Sequence, residues 1–335
     1  MPLLITYGPD AGTREGDPTF AQVIYIDLPE DVAERVYVRI FDPDSGGEHD
    51  LIYGRPDTTT RFELYGGEGA LATPGEFGRS LSDEERAGGV LLSEKQYGPS
   101  DQFDGSWVNI ALLQADQGEK HGSRRVFRLV VTGEDGNDGN LYDVALSLRD
   151  RRQLDVPGAR IYAYSPTVRV PDRQSLTELR FGLPPDAQSL SVHNFDAAHG
   201  KLQFTSAFRS VDLKPSGQDR WRVGTVDILP EERGGLAAIT LEGGGEIPND
   251  ATFFVSGPGG EALVIELPPF NWLPNRRPSI AAATTFLDGC RAVSFDASAT
   301  TDPDGDELAY VWRFSDGTVQ TGNKVVKSYE TRGRF

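Results

Sequence analysis

Four carboxylates fall within nine positions on one loop: Asp42, Asp44, Glu48 and Asp50, with Pro43, Ser45, Gly46, Gly47 and His49 between them. Calcium takes about six to eight hard oxygen ligands, and closely spaced carboxylates on a glycine-containing loop supply several of them together with backbone carbonyls. A second acid and amide group follows at Asp135, Asn137 and Asp138 and ends near Asp143, and a third stands at Asp302, Asp304 and Asp306. None fits the calcium-binding helix-loop-helix consensus. Counting from Asp42, an oxygen ligand at the fifth place and a glutamate at the twelfth are missing, and Glu307 stands where the third group needs glycine. Acidic, glycine-rich turns also form without metal, because Asp and Asn side chains cap their own backbone. Two readings therefore stand side by side for each group, a calcium site and a self-capping turn, and calcium is the one cofactor these residues suggest.

Other chemistry finds little support. His49, His121, His193 and His199 lack zinc-ligand spacing, and Cys290 is the only cysteine, so neither a disulfide framework nor a cysteine-based metal site is available. No serine elbow, phosphate-cradling glycine loop or metalloprotease helix is present. Two carboxylates across a cleft are enough for glycoside hydrolysis, and 51 acidic residues leave such a pair open. Small sandwiches rarely enclose the deep pocket that catalysis requires, so the chain is expected not to be an enzyme.

The formal net charge of −18 repels polyanions and argues against nucleic acid as a partner. No apolar run approaches the roughly 20 residues that span a bilayer. The start, Met1 to Tyr7, lacks the basic and apolar parts of a secretory signal, so a signal is expected to have been removed or to lie outside this sequence.

The elements that must position these residues are strands. Val36, Val38 and Ile40 alternate with Tyr37 and Arg39, and similar runs recur at 20–28, 62–65, 107–112, 126–131, 141–148 and 160–170. Together they predict a sandwich of about eight strands over residues 1–171. The rhythm restarts at 178–181, 189–192, 202–205, 220–227, 237–241, 252–255 and 263–267, the number and spacing of an immunoglobulin-like sandwich over 172–270. Helical signal is confined to the short stretches 29–34 and 81–87, read as connections. A proline-rich linker from Leu267 to Pro274, with Trp272 packing between modules, then leads into a third module over 271–335. The predicted fold is all-β, with tandem β-sandwich modules and breaks near 171 and 271.

Residues from about 278 onward carry an ordered set of motifs: Val293 to Ser298, the acidic turn Thr301 to Asp306, the run Leu308 to Phe314 and the turn Ser315 to Thr318. The set resembles a PKD domain, in which such segments form a first strand, an acidic turn, the core tryptophan strand and a tight hairpin turn. Ser315 departs from it, since the family more often has glycine there. Tyr310, Trp312 and Phe314 alternate onto one face, which puts Trp312 in the core, and Asp316 with Gly317 tolerates the positive φ of a hairpin turn. Similar domains continue for one or two more strands beyond Phe335, so the module is expected to be incomplete.

The resemblance implies an exported protein in which such domains act as spacers, adhesion modules or accessories to hydrolases. The expected function is a non-catalytic, extracytoplasmic binding or spacer region of a larger surface, secreted or periplasmic bacterial protein, serving adhesion or display, with a cell-surface protein or carbohydrate as partner. The alternative is the carbohydrate-binding accessory region of a secreted hydrolase. A row of solvent-facing aromatic rings on one sheet would favour the alternative, because sugars stack on flat rings.

Overall fold

In a computed structural model the described residues are 3–12, 19–71, 82, 86–170, 176–198, 200–242, 249–272, 278–287, 291–301, 308 and 310–329. The fold is all-β, and the chain divides into two compact units, Met1–Leu273 and Pro274–Phe335.

One antiparallel sheet runs through the first unit. Its order is β16 (Trp221–Asp227), β13 (Ser189–Phe195), β18 (Asn249–Ser256), β11 (Thr167–Val170), β1 (Leu3–Tyr7), β9 (Gly139–Ser147), β3 (Val36–Phe41) and β6 (Trp107–Leu113), with β19 (Ala262–Leu263) beside β18. A second sheet orders β20 (Ile265–Leu267), β10 (Arg160–Ala163), β2 (Ala21–Pro29), β8 (Arg124–Gly133), β4 (Thr60–Gly66) and β5 (Val90–Tyr97), with β7 (Glu119–His121) on β8. The third contains β15 (Ser210–Leu213), β14 (Lys201–Ser206), β17 (Leu236–Glu242), β12 (Leu176–Gly182) and β21 (Phe270–Trp272).

Alternation explains most of these elements. In β12 the residues Thr177, Leu179 and Phe181 are buried while their neighbours are partly exposed, the period-two signature of a strand with one wet face. Strand β1 reads differently: Leu4, Ile5, Thr6 and Tyr7 are all buried, because Leu4 joins the main apolar cluster on one face while Ile5 and Tyr7 pack with Leu141, Phe20, Phe41 and Leu51 in a second cluster. A short run without alternation carries little strand signal. The polar edge strand β5 shows no buried residue at all.

The expected division near 171 does not separate compact units. Strand β11 pairs with β1 through Leu3↔Arg169 and Leu4↔Val168, and with β18 through Thr167↔Thr252 to Val170↔Asn249, so strands from both sides of 171 share one ladder. Inward side chains of all three sheets form a single apolar cluster that includes Leu4, Phe62, Phe127, Phe181, Phe204 and Phe253. Gln22 ties this seam: its Nε2 donates to the Ile5 carbonyl at 2.7 Å and its Oε1 accepts from the Thr167 amide at 3.0 Å.

The expected helical stretch at 29–34 is the end of β2 followed by a turn, and most of the one at 81–87 lies outside the described residues. Part of the proline-rich linker is strand β21, whose Trp272 pairs in register with Leu176.

In the second unit β23 (Ala292–Asp296) pairs with β22 (Ala283–Leu287) and β26 (Lys324–Ser328), and β24 (Val311–Arg313) pairs with β25 (Val319–Thr321). Its buried residues include Val293, Ala297 and Val325. Trp312 is half-buried rather than fully enclosed, its ring tilted against Phe295 at 5.5 Å and its Nε1 donating to the Gly322 carbonyl at 2.9 Å. The predicted turn forms as expected, with Gly317 at φ 82° and the Asp316 carboxylate accepting from the Thr318 amide at 3.0 Å.

Candidate functional site

The loop leaving β3 and the loop entering β6 emerge at the same end of the sheet, because the two strands are antiparallel neighbours with Phe41 opposite Trp107. The ladder extends one step further, from the Asp42 amide to the Ser106 carbonyl at 2.9 Å. Loop 42–50 is thereby laid against residues 100–106, and the Ser100 amide donates to the Ser45 carbonyl at 3.2 Å. Asp104 meets the loop from this second segment. Gly47 sits at φ 83°, and a Cβ there would lie 2.4 Å from the Asp104 carboxyl carbon, so the close approach requires glycine.

Asp42 is fully buried at φ 52°, and neither carboxylate oxygen has a hydrogen-bond donor within bonding geometry. The nearest basic group is the half-exposed His49, whose Nδ1 is 3.5 Å from Asp42 Oδ2 and 2.9 Å from Asp104 Oδ1. Ligand atoms of Asp42, His49 and Asp104 all lie within 4.8 Å of one another. Burial first and the Asp104 charge second push the Asp42 carboxyl up to about 7, which His49 only partly offsets. Asp44 is also buried; its Oδ2 accepts from the Phe103 amide at 3.2 Å and its Oδ1 has no partner. Burial raises its pKa as well. His49 is raised, mainly by its hydrogen bond to Asp104, and the same bond lowers Asp104.

The other two residues of this loop take different positions. Asp50 accepts the Gly46 amide at 2.7 Å and the Leu141 amide at 2.7 Å, pinning the loop to β9, and burial raises its pKa to about 8. Glu48 is exposed, and it is its backbone amide that meets Asp104, at 3.2 Å.

Residues 135–143 are not drawn into this cluster. Asp138 is fully buried and accepts the amides of Tyr53 at 2.9 Å, Asp57 at 2.7 Å and Thr58 at 3.2 Å, so its carboxylate is saturated by backbone. Asp135 accepts the Thr59 amide at 2.5 Å, while the Asn137 amide donates to Asp57 at 3.1 Å. Asp143 lies further along β9, in register with Phe41, and burial raises its carboxyl to about 6. Asp302, Asp304 and Asp306 lie outside the described residues.

A recess of about 670 Å³ lies among β3, β6, β9, β10, β20 and loop 148–156, lined by Arg39, Trp107, Asp143, Arg151, Arg152 and Gln153 among others. Arg39 is 7% exposed, lies 5.4 Å over the Trp107 ring and reaches Gln153 Oε1 from Nη1 at 3.4 Å. Loop 148–156 forms one wall and is held by Gln153 Nε2 donating to the Leu146 carbonyl at 2.8 Å and by Ser147 Oγ donating to that of Arg152 at 2.9 Å. No motif in the sequence marked this recess. The signal available was the outward parity of Tyr37, Arg39 and Phe41 in a strand whose other residues point inward.

The second unit has an ordered strand, a tryptophan strand and a tight hairpin turn, in the order seen in one known family. Residues 275–335 match the PKD domain. PKD domains are immunoglobulin-like modules, common in surface and secreted proteins. No curated protein matches the chain. Among the described residues no helix is long and apolar enough to cross a membrane.

Proposed function

We propose that this chain is a non-catalytic, extracytoplasmic binding and display region of a surface or secreted protein, in which the first unit carries the ligand and the PKD module acts as spacer. The PKD match supports the location. The observation that carries the binding role is the recess beside Trp107. Four arginines, Arg39, Arg151, Arg152 and Arg160, line it together with the carboxylates of Asp143, Asp155 and Glu266, in a protein whose net charge is −18. Arg151 is 95% exposed, and its Nε comes no closer than 4.0 Å to the Asp150 carboxylate. Guanidinium groups pair with carboxylate and sulfate, Trp107 offers a ring, and Gln153 and Asp143 suit sugar hydroxyls. The ligand class this chemistry fits is an acidic carbohydrate.

Exposed aromatic rings bear on the choice between display and a hydrolase accessory. Among the described residues Tyr53, Trp107, Phe208 and Phe286 are exposed, each on a different element, three in the first unit and Phe286 in the second. That distribution favours display. The test is calorimetric titration of the chain with a polyuronate, a sulfated glycan and a neutral glucan. Binding of an acidic glycan, weakened at least tenfold by Arg151→Glu with Arg152→Glu and by Trp107→Ala, is expected. Binding that prefers the neutral glucan would support the accessory role, and no binding to any of the three would leave the first unit as a spacer.

A further inference from the structure

We propose that the first unit holds a calcium ion between two loops, with Asp42 and Asp44 from the segment after β3 and Asp104 from the segment before β6 as carboxylate ligands and His49 at the rim. The inference is independent of what the recess beside Trp107 binds.

Two buried aspartates of the same sandwich make the contrast. Asp138 and Asp42 are both wholly enclosed. Asp138 is surrounded by three backbone amides, whereas neither Asp42 oxygen has a donor in full hydrogen-bond geometry, the Gly105 backbone and His49 approaching outside it, and the Asp104 and Asp44 charges stand beside it. A carboxylate removed from water without donors carries a large desolvation penalty, and adding neighbouring negative charge increases it. The fold nevertheless turns Asp42 inward, at a positive φ of 52° that Asp tolerates better than most residues. A self-capping turn explains Asp138 and Asp135. It does not explain Asp42, nor the unpartnered Oδ1 of buried Asp44.

A cation between the loops accounts for both. The buried ligand atoms are all carboxylate oxygens, the set that calcium selects, while zinc favours nitrogen and sulfur in a closed tetrahedron. His49 is 42% exposed in its side chain and can turn to solvent when an ion takes its place between Asp42 and Asp104. Asp50 and Glu48 are left out of the ligand set, because Asp50 is saturated by the amides of Gly46 and Leu141 and Glu48 is exposed. The ion would join segments more than fifty residues apart and so stiffen the end of the sheet, rather than one loop.

The test uses the whole 335-residue chain, stripped with chelator. Calcium at about 10⁻³ M, the range of extracellular modules, is expected to raise the unfolding midpoint of the first unit by a few degrees. Terbium should bind competitively with calcium and luminesce on tryptophan excitation, because Trp107 lies 5.5 Å from Phe41 and Phe41 lies 5.5 Å from His49. Trp107→Phe should abolish most of that emission and keep the calcium shift. Asp104→Asn should weaken calcium binding at least tenfold. Asp42→Asn removes the uncompensated charge, so it should raise the calcium-free midpoint while abolishing the calcium shift, which separates loss of the site from loss of the fold. Glu48→Gln should change neither. The proposal is overturned by an unchanged midpoint in the parent chain, by an equal calcium shift in Asp104→Asn, by terbium emission that survives Trp107→Phe, or by zinc binding where calcium does not.

Discussion

Tyr7 donates a hydrogen bond from its buried hydroxyl to Asp250 Oδ2 at 2.5 Å, joining positions 243 residues apart. Arg169, on the strand between them, places Nη1 2.9 Å from the same oxygen. A phenol from the first strand, a guanidinium from β11 and a carboxylate from β18 thus close one polar group over the seam where the two halves of the first unit share a sheet. Buried hydrogen bonds to charged partners contribute roughly 1.5–3 kcal/mol. Tyr7→Phe is expected to lose about that much, and the loss should appear equally in hydrogen exchange of β2–β8 and of β14–β17. Destabilisation confined to the strands before residue 171 would show that the halves unfold separately.

Asp138 organises the turn at 53–58 by accepting three amides, so its removal should act on stability and leave metal response untouched. Asp138→Ala is expected to cost about 3 kcal/mol, the scale of several buried charge-assisted hydrogen bonds lost together. Denaturant unfolding with calcium and with chelator should give the same loss in both. A loss seen only with calcium present would make Asp138 a ligand.

Asp143 carries a folded-state pKa raised to about 6 by burial, above the ordinary carboxylate value. The folded state therefore holds the proton more tightly than the unfolded chain between about pH 4 and 6, and stability falls as pH rises through that window. Asp143→Asn should remove this part of the fall and raise stability at pH 7.5 by about 1–3 kcal/mol, with little effect at pH 3.5. The measurement is the difference between parent and variant at each pH, since Asp42 and Asp50 titrate in the same direction. A difference independent of pH would contradict the assignment.

Trp312 is half-buried against Phe295, with its indole nitrogen bonded to the Gly322 carbonyl. Full burial of a tryptophan would make truncation to alanine cost about 3–5 kcal/mol, and partial burial lowers the expectation to about 1–3 kcal/mol. Thermal unfolding of the PKD module, followed by Trp312→Phe and Trp312→Ala, checks it. Phenylalanine should recover most of the packing and none of the hydrogen bond.

Strand identity was legible wherever one face is wet. Val36, Val38 and Ile40 against Tyr37 and Arg39, or Thr177, Leu179 and Phe181 against their neighbours, declare period two in the residues themselves. The Asp316 and Gly317 turn and the order of motifs around Trp312 were equally local, and they sufficed for the PKD match. Local patterns also marked the loop at Asp42 as unusual, because four carboxylates in nine positions are visible without a fold. What the pattern could not supply was pairing. β1 has no dry and wet alternation because both its faces are packed, Leu4 in the main cluster and Ile5 and Tyr7 in a second one, and only the sheet shows that β11 sits between β1 and β18 and erases the expected boundary at 171. The same holds for the acidic residues. Asp42, Asp50 and Asp138 are one chemical type, yet donors brought from Gly46, Leu141, Tyr53, Asp57 and Thr58 satisfy two of them, and Asp104, 62 positions along the chain from Asp42, faces the third. Side-chain type sets what a residue can bind, and long-range strand register sets whether its oxygens meet amides, another carboxylate or nothing.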